Sequence, residues 1–270
     1  MSYLRAFSSL GCPQATLDEA LALAARFGLD AVELRSLGGT VELPAYLAAQ
    51  FGSPEDLADR LAAGAPGTPQ VRLAALGTSF RLVGAGPLDR DALIDFAGWA
   101  EALGVKWLRV FDGGKLADAA ELAAASEAVR WWREERARRG WKTDIMVETH
   151  DSLFTADAMG RAVEAMPGLA ILWDSHHTWK KGGEDPLYTW SRMRAHVVHV
   201  HLKDSISVPS SRHPYTYVLP GTGEFPAAAL VPVLREQFEG VVSLEWEKLW
   251  HPSLPPLEDA LAAAAERAWW

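Results

Sequence analysis

The stretch VVHVHLKDS, residues 197–205, alternates apolar side chains with imidazoles and ends in a Lys-Asp pair. An extended strand sends successive side chains to opposite faces, so His199, His201 and Lys203 share one face while Val198, Val200 and Leu202 share the other. One face is built to pack, and the other is turned to something polar. Short runs of the same kind recur at residues 4–8, 31–35, 71–76, 106–111, 144–148, 170–174 and 241–245, which with 197–203 makes eight candidate strands. Between them lie Ala- and Leu-rich helical patterns with start and stop signals. TLDEALALAARFG (16–28) places Thr16 three residues before Glu19, the spacing of a capping box, and stops at Gly28. SPEDLADRLAAG (53–64) repeats that grammar, with Ser53 as the cap and Pro54 in the first turn. Units of one strand and one helix take about 30 residues each. Eight of them in 270 residues predict the α/β class and a (β/α)8 TIM barrel, a single domain over residues 1–270. A doubly wound open sheet is the competitor, but no Gly-x-Gly-x-x-Gly turn follows the first run; GTGEF (221–225) comes only after the seventh. Residues 205–224 exceed an ordinary connection and are expected to act as a lid.

Composition narrows the function. A net charge of -9 opposes a phosphate backbone, so no nucleic-acid partner is expected. The Arg-rich run RWWREERARRG (130–140) carries Arg130 and Glu134, Glu134 and Arg138, and Glu135 and Arg139 four apart, and reads as a solvated helix face. MSYLRAFSSL, at the start, lacks a basic segment followed by a long apolar core, and no apolar run reaches the roughly 18–20 residues of a membrane span. A cytoplasmic protein without a membrane partner is expected. The single cysteine, Cys12, excludes an internal disulfide and a thiolate-built zinc site, so any metal would be held by nitrogen and oxygen.

In a (β/α)8 barrel the active site lies at the C-terminal ends of the strands. Four consecutive candidate strands read DIMVETH (144–150), AILWDSHH (170–177), VVHVHLKD (197–204) and VVSLEWEK (241–248), and finish with Glu148, Asp174, His201 and Glu245. Acids gathered at one rim repel one another unless a cation sits among them. Three carboxylates and an imidazole suit one divalent ion, Mn, Mg, Co or Zn, with manganese placed first.

The motifs VET (147–149), WDSHH (173–177), HVHLKD (199–204) and SLEWE (243–247) resemble, in order and spacing, those of the xylose-isomerase-like superfamily of sugar epimerases and isomerases. The resemblance implies that Glu148, Asp174, His201 and Glu245 are the metal ligands and that His177 polarises the substrate. It also implies that Glu148 and Glu245 are the acid-base pair, moving a proton beside a metal-chelated carbonyl of a sugar or sugar derivative. Similar ketose epimerases carry an arginine shortly after the strand-seven histidine; here that stretch is LKDSIS (202–207), so the sugar must be recognised differently. Lys203 and Asp204 match the broader group, which includes dehydratases acting on cyclic polyol ketones by the same first step.

The neighbours are assigned around that site. Lys203 and Arg109 are expected to bind substrate, Arg109 together with Arg35 contacting an anionic group or closing a rim salt bridge. Trp173 is expected to face the sugar as part of an apolar wall with Trp179 and Trp246, while packing between strands and helices is the expected use of most of the tryptophans. His199 reads as a packed interior residue, His176 as pointing away, His150 as a loop residue, Lys180 and Lys181 as solvated, and Glu247 as the weaker rival of Glu245. Trp269 and Trp270 suggest a contact between subunits of a homo-oligomer. Two other functions compete: a non-catalytic carbohydrate-binding barrel, which would predict a broken ligand set, and an apurinic endonuclease, which needs further histidines from early strands. The first of the eight histidines is His150, so the first four strands supply none.

Overall fold

Side-chain caps start the helices where the sequence places them. Thr16 Oγ1 accepts the Glu19 N–H at 3.3 Å while the Glu19 carboxylate accepts the Thr16 N–H at 2.8 Å. Ser53 and Asp56 close the same reciprocal pair at 3.1 Å in both directions. The computed structural model describes residues 3–64 and 70–269. In chain order the strands are β1 Leu4–Ser8, β2 Ala31–Leu34, β3 Arg72–Arg81, β4 Trp107–Phe111, β5 Asp144–Glu148, β6 Ala170–Asp174, β7 Val197–Leu202, β8 Asp204–Ile206, β9 Thr216–Val218 and β10 Val241–Leu244. The α-helices are α1 Leu17–Arg26, α2 Leu43–Phe51, α3 Pro54–Ala63, α4 Pro87–Ala102, α5 Ala119–Arg139, α6 Ala156–Ala165, α7 Ser175–Lys180, α8 Pro186–Met193, α9 Ala227–Gln237 and α10 Leu257–Glu266.

Eight parallel strands close into a barrel in the order β1-β10-β7-β6-β5-β4-β3-β2, which is the (β/α)8 architecture expected from the strand count. Alternation along each strand divides the interior into two layers. Val200 and Leu202 of β7, Val242 and Leu244 of β10 and Ile171 and Trp173 of β6 join one continuous apolar layer under the helices. In the bore, the small side chains Ala6, Ala31 and Ala75 leave space for Glu33, His199, His201 and Ser243, none more than 1% exposed. Register then collects the site at one rim. Asp174 lies alongside His201, Leu202 alongside Leu244, and Phe111 alongside Glu148, so the C-terminal ends of β5, β6, β7 and β10 finish together.

Four details differ from the sequence reading. β3 runs on to Arg81 rather than stopping at residue 76, because Arg81 pairs with Phe111 after a register shift and Thr78 Oγ1 donates to the Arg109 carbonyl at 2.9 Å. Residues 205–224, read as one long connection, carry structure of their own. β8 and β9 pair as an antiparallel hairpin, and the Asp204 carboxylate accepts the N–H groups of Ser205, Gly221, Gly223 and Phe225 at 2.8–3.0 Å, folding the GTGEF turn around itself. Of the three ion pairs read four apart on α5, only Glu135–Arg139 forms among the described residues; Arg138 also takes Glu135, and Arg130 turns to Glu127. Trp269 packs inside its own chain, 3% exposed and 6.0 Å from the Phe225 ring, so it is not a free surface for a second subunit. Trp270 lies outside the described residues. Among the described residues, no helix is long and apolar enough to cross a membrane.

Candidate metal centre

The four strand-end residues meet. Glu148, Asp174, His201 and Glu245 each offer a ligand atom, all within 4.8 Å of one another, and all four side chains are buried. His201 Nδ1 is 3.3 Å from Glu245 Oε2 and 3.9 Å from Glu148 Oε1. Lys203 Nζ lies 2.8 Å from Asp174 Oδ2 and 2.6 Å from both Glu245 Oε2 and Glu247 Oε1. Arg109 Nε is 3.3 Å from Glu148 Oε2.

Charge and donor chemistry both fit a divalent cation at this point. With His201 counted as the neutral imidazole that a metal ligand must be, five carboxylates (Glu33, Glu148, Asp174, Glu245 and Glu247) gather with three basic side chains (Arg35, Arg109 and Lys203), a balance of two negative charges that one divalent ion would offset. Inside the cluster, His201 Nδ1 and Asp174 Oδ2 are buried and form no hydrogen bond; their close neighbours are charged groups, Glu245 Oε2 at 3.3 Å and Lys203 Nζ at 2.8 Å. A metal ion among these atoms would give both a ligand bond. Burial alone would push the His201 imidazole down, but the Glu245 and Glu33 carboxylates hold it well above its usual range. Lys203 is likewise held well above the usual lysine range, the charges of Asp174, Glu245 and Glu247 overcoming burial. The donor set fits a Mn, Mg, Co or Zn ion without a thiolate.

The far side of His201 was not read from the sequence. Its Nε2 is 2.8 Å from Glu33 Oε2, and the same oxygen is 3.3 Å from His199 Nε2, which also bonds Ser243 Oγ at 2.7 Å. A carboxylate behind a metal-binding imidazole fixes its tautomer and orientation. Glu33 therefore aims His201 Nδ1 at the cluster. Glu33, His199 and His201 also lie close enough to form a second metal group. Their facing atoms already satisfy one another, so the strand-end group is the better fit.

The other expected site residues divide. His177 is brought in: its Nδ1 donates to the Thr149 carbonyl at 3.0 Å and lies 3.1 Å from Asp174 Oδ2, while Nε2 faces Lys203 Nζ at 3.4 Å. Burial and the Lys203 charge hold it neutral, well below the usual histidine range. With Nδ1 as the donor, Nε2 is left as an acceptor facing the Lys203 ammonium. Lys203 is central to the cluster, and Glu247 joins it through Lys203 rather than through the four-ligand group. Arg109 is 2% exposed and ends beside the cluster, with Nε 3.3 Å from Glu148 Oε2. Trp173 is not brought to the site. Asp174 points inward, so Trp173 points outward, stacked 5.8 Å from Trp190 with its Nε1 donating to Thr178 Oγ1.

Trp246 is also core, with Nε1 bonded to the Pro255 carbonyl. Trp179 packs on His176 and Phe225. His176 bonds Ser205 Oγ away from the cluster, and His150 sits at the rim, 5.0 Å from the His177 ring. Lys180 and Lys181 are tied down rather than free, to Ser207 and Glu224 and to the His150 carbonyl respectively. The sequence reading also missed Tyr217, whose hydroxyl donates to Glu247 at 2.8 Å from the β8–β9 hairpin.

A search of curated proteins gives no match. Solved structures match over nearly the whole chain at low identity, which shows the fold. The probable 3-DHS dehydratase AsbF, involved in petrobactin synthesis, from Bacillus anthracis aligns with a TM-score of 0.78 at 17% identity, over 99% of this chain and 98% of that one. An IOLI protein with a binding zinc atom aligns at 0.70 and 19% identity, over 98% and 96%. Endonuclease IV from Thermus thermophilus aligns at 0.66 and 21%, over 98% of each chain. The family model described as xylose isomerase-like TIM barrel matches residues 21–270. With that match over most of its length and a closed eight-stranded barrel to carry it, the chain belongs to the xylose isomerase-like TIM-barrel family.

Proposed function

We propose that this chain is a divalent-metal-dependent isomerase or epimerase of a sugar or sugar derivative. The observation that carries the reading is the convergence of three carboxylates and one imidazole, Glu148, Asp174, Glu245 and His201, on one buried point. A divalent ion bound there would polarise a substrate carbonyl and acidify the neighbouring C–H. Glu148 and Glu245 then serve as the carboxylates that remove and return the proton. His177 Nε2 accepts a substrate hydroxyl hydrogen, and Lys203 holds Glu245 and Glu247 in place while lending positive charge to the developing oxyanion.

A small molecule suits the site better than a nucleic acid. The net charge is -9, no histidine precedes His150, and the second metal group shares His201 and is satisfied internally. One observation favours a dehydratase as the second reading. The Lys203 ammonium sits among the catalytic carboxylates and beside His177, where it can protonate a departing hydroxide. Both readings share proton abstraction, so the test is deuterium incorporation from heavy water into ketoses and cyclic polyol ketones by the metal-loaded protein. Exchange beside the carbonyl, reduced at least about 100-fold in Glu148→Gln and Glu245→Gln, is expected. Loss of water from the exchanged compound would select the dehydratase, and no exchange into any of these compounds would contradict both.

A further inference from the structure

The metal chemistry leaves one conspicuous pair of side chains without a task. Arg35 follows β2 and Arg109 lies in β4, with β3 between them in the barrel. Both are buried, at 5% and 2% exposure. Gly77 of β3 makes room for them: a Cβ there would stand 2.7 Å from Arg35 Cδ and 3.1 Å from Arg109 Nη2. Glycine inside a strand weakens it and marks a close approach. Here what approaches is the Arg35 stem on one side and the Arg109 guanidinium on the other.

Their partners are mostly neutral. Arg35 donates to the Gly77 carbonyl at 3.4 Å and to Ser79 Oγ at 2.9 Å, and Arg109 Nη1 donates to the Thr78 carbonyl at 2.9 Å. The one carboxylate in contact, Glu148, is itself in the metal group, and Arg109 Nε forms no hydrogen bond with it. Burial and the Arg109 charge push Arg35 down to about 9, against the opposing charges of Glu148, Glu42 and Glu33, so it stays cationic at neutral pH. Ser79 is exposed, which places the end of Arg35 just under the open rim. Arg35 and Arg109 therefore set two positive charges side by side across β3. Two forked donors side by side match the oxygens of a carboxylate or phosphate.

We propose that the substrate carries an anionic group, a carboxylate or a phosphate, held by Arg35 and Arg109 away from its metal-bound carbonyl. This rests on the function proposed above. Arg35 is the residue to change, because it does not touch a metal ligand. Sulfate is the probe, titrated into the metal-loaded protein and followed by thermal shift, with sodium chloride at equal ionic strength as the control. The expected result is a saturable rise in Tm with sulfate alone, at least tenfold weaker affinity in Arg35→Gln with metal content unchanged, and partial recovery in Arg35→Lys. Equal sulfate binding in Arg35→Gln, or no saturable effect in a protein that holds its metal, overturns the anion subsite and leaves the metal reading standing. Absence of metal from the parent protein overturns both. Deuterium exchange into a ketose, its terminal phosphate and its terminal carboxylate then separates the two sources: the preferred anion names the group, and a neutral ketose that exchanges as well as both overturns the proposal.

Discussion

His201 does two things with one ring: Nδ1 faces the metal group and Nε2 is held by Glu33. Replacing Glu33 with Gln keeps the shape and removes the charge behind the imidazole, so Glu33→Gln should bind metal about 10–100-fold more weakly, measured by competition with a chelator. Unchanged affinity would mean that Glu33 only packs. Glu148, Asp174, His201 and Glu245 were legible in the sequence because each closes an apolar run at a strand end. Glu33 was not, because it sits inside AVEL, where alternation marks a face but not a partner 168 residues away. Trp173 was misread for the complementary reason: its neighbour Asp174 takes the inward position, and adjacent strand residues cannot share a face. Cys12 is a quieter case. Burial, followed by the charges of Glu258 and Glu19, pushes its thiol up to about 12, so little thiolate exists at pH 8. Iodoacetamide should label native protein at least ~100-fold more slowly than the urea-unfolded chain; comparable rates would contradict the buried environment.

Among the elements, the β8–β9 hairpin is the one whose form the sequence concealed. Its length signalled a lid, but the fold of the turn depends on the Asp204 carboxylate gathering four backbone N–H groups, a pattern with no local signature in GTGEF. A Cβ on Gly223 would run into that carboxylate. Gly223→Ala should therefore loosen the hairpin while sparing the barrel: proteolytic nicking within residues 205–224 rises, and Tm falls only slightly. A protease pattern identical to the parent would show that the carboxylate adapts. β3 was read too short because its apolar run breaks at Gly77; in the barrel Gly77, Thr78 and Ser79 stay extended, and Gly77 admits the two arginines beside it. The regular helices were easier to read, since Thr16–Glu19 and Ser53–Asp56 announce their starts within four residues.

Across the whole molecule, eight strands with their helices were countable from the sequence, and barrel closure followed from the count. The charge balance of the bore was not, because it sums residues from β2, β4, β5 and β6 and from the segments just after β2, β7 and β10. That balance carries the central claim. A divalent ion should stabilise the folded chain, by about 2.7 kcal/mol when free metal is 100 times its Kd, and chelation should lower Tm accordingly. The most direct measurement is metal content per chain, taken on the parent, on Glu245→Gln and on Glu247→Gln after identical loading. One divalent ion per chain in the parent, lost in Glu245→Gln and retained in Glu247→Gln, is the predicted result. No metal in the loaded parent, or equal metal in Glu245→Gln, would contradict the metal centre.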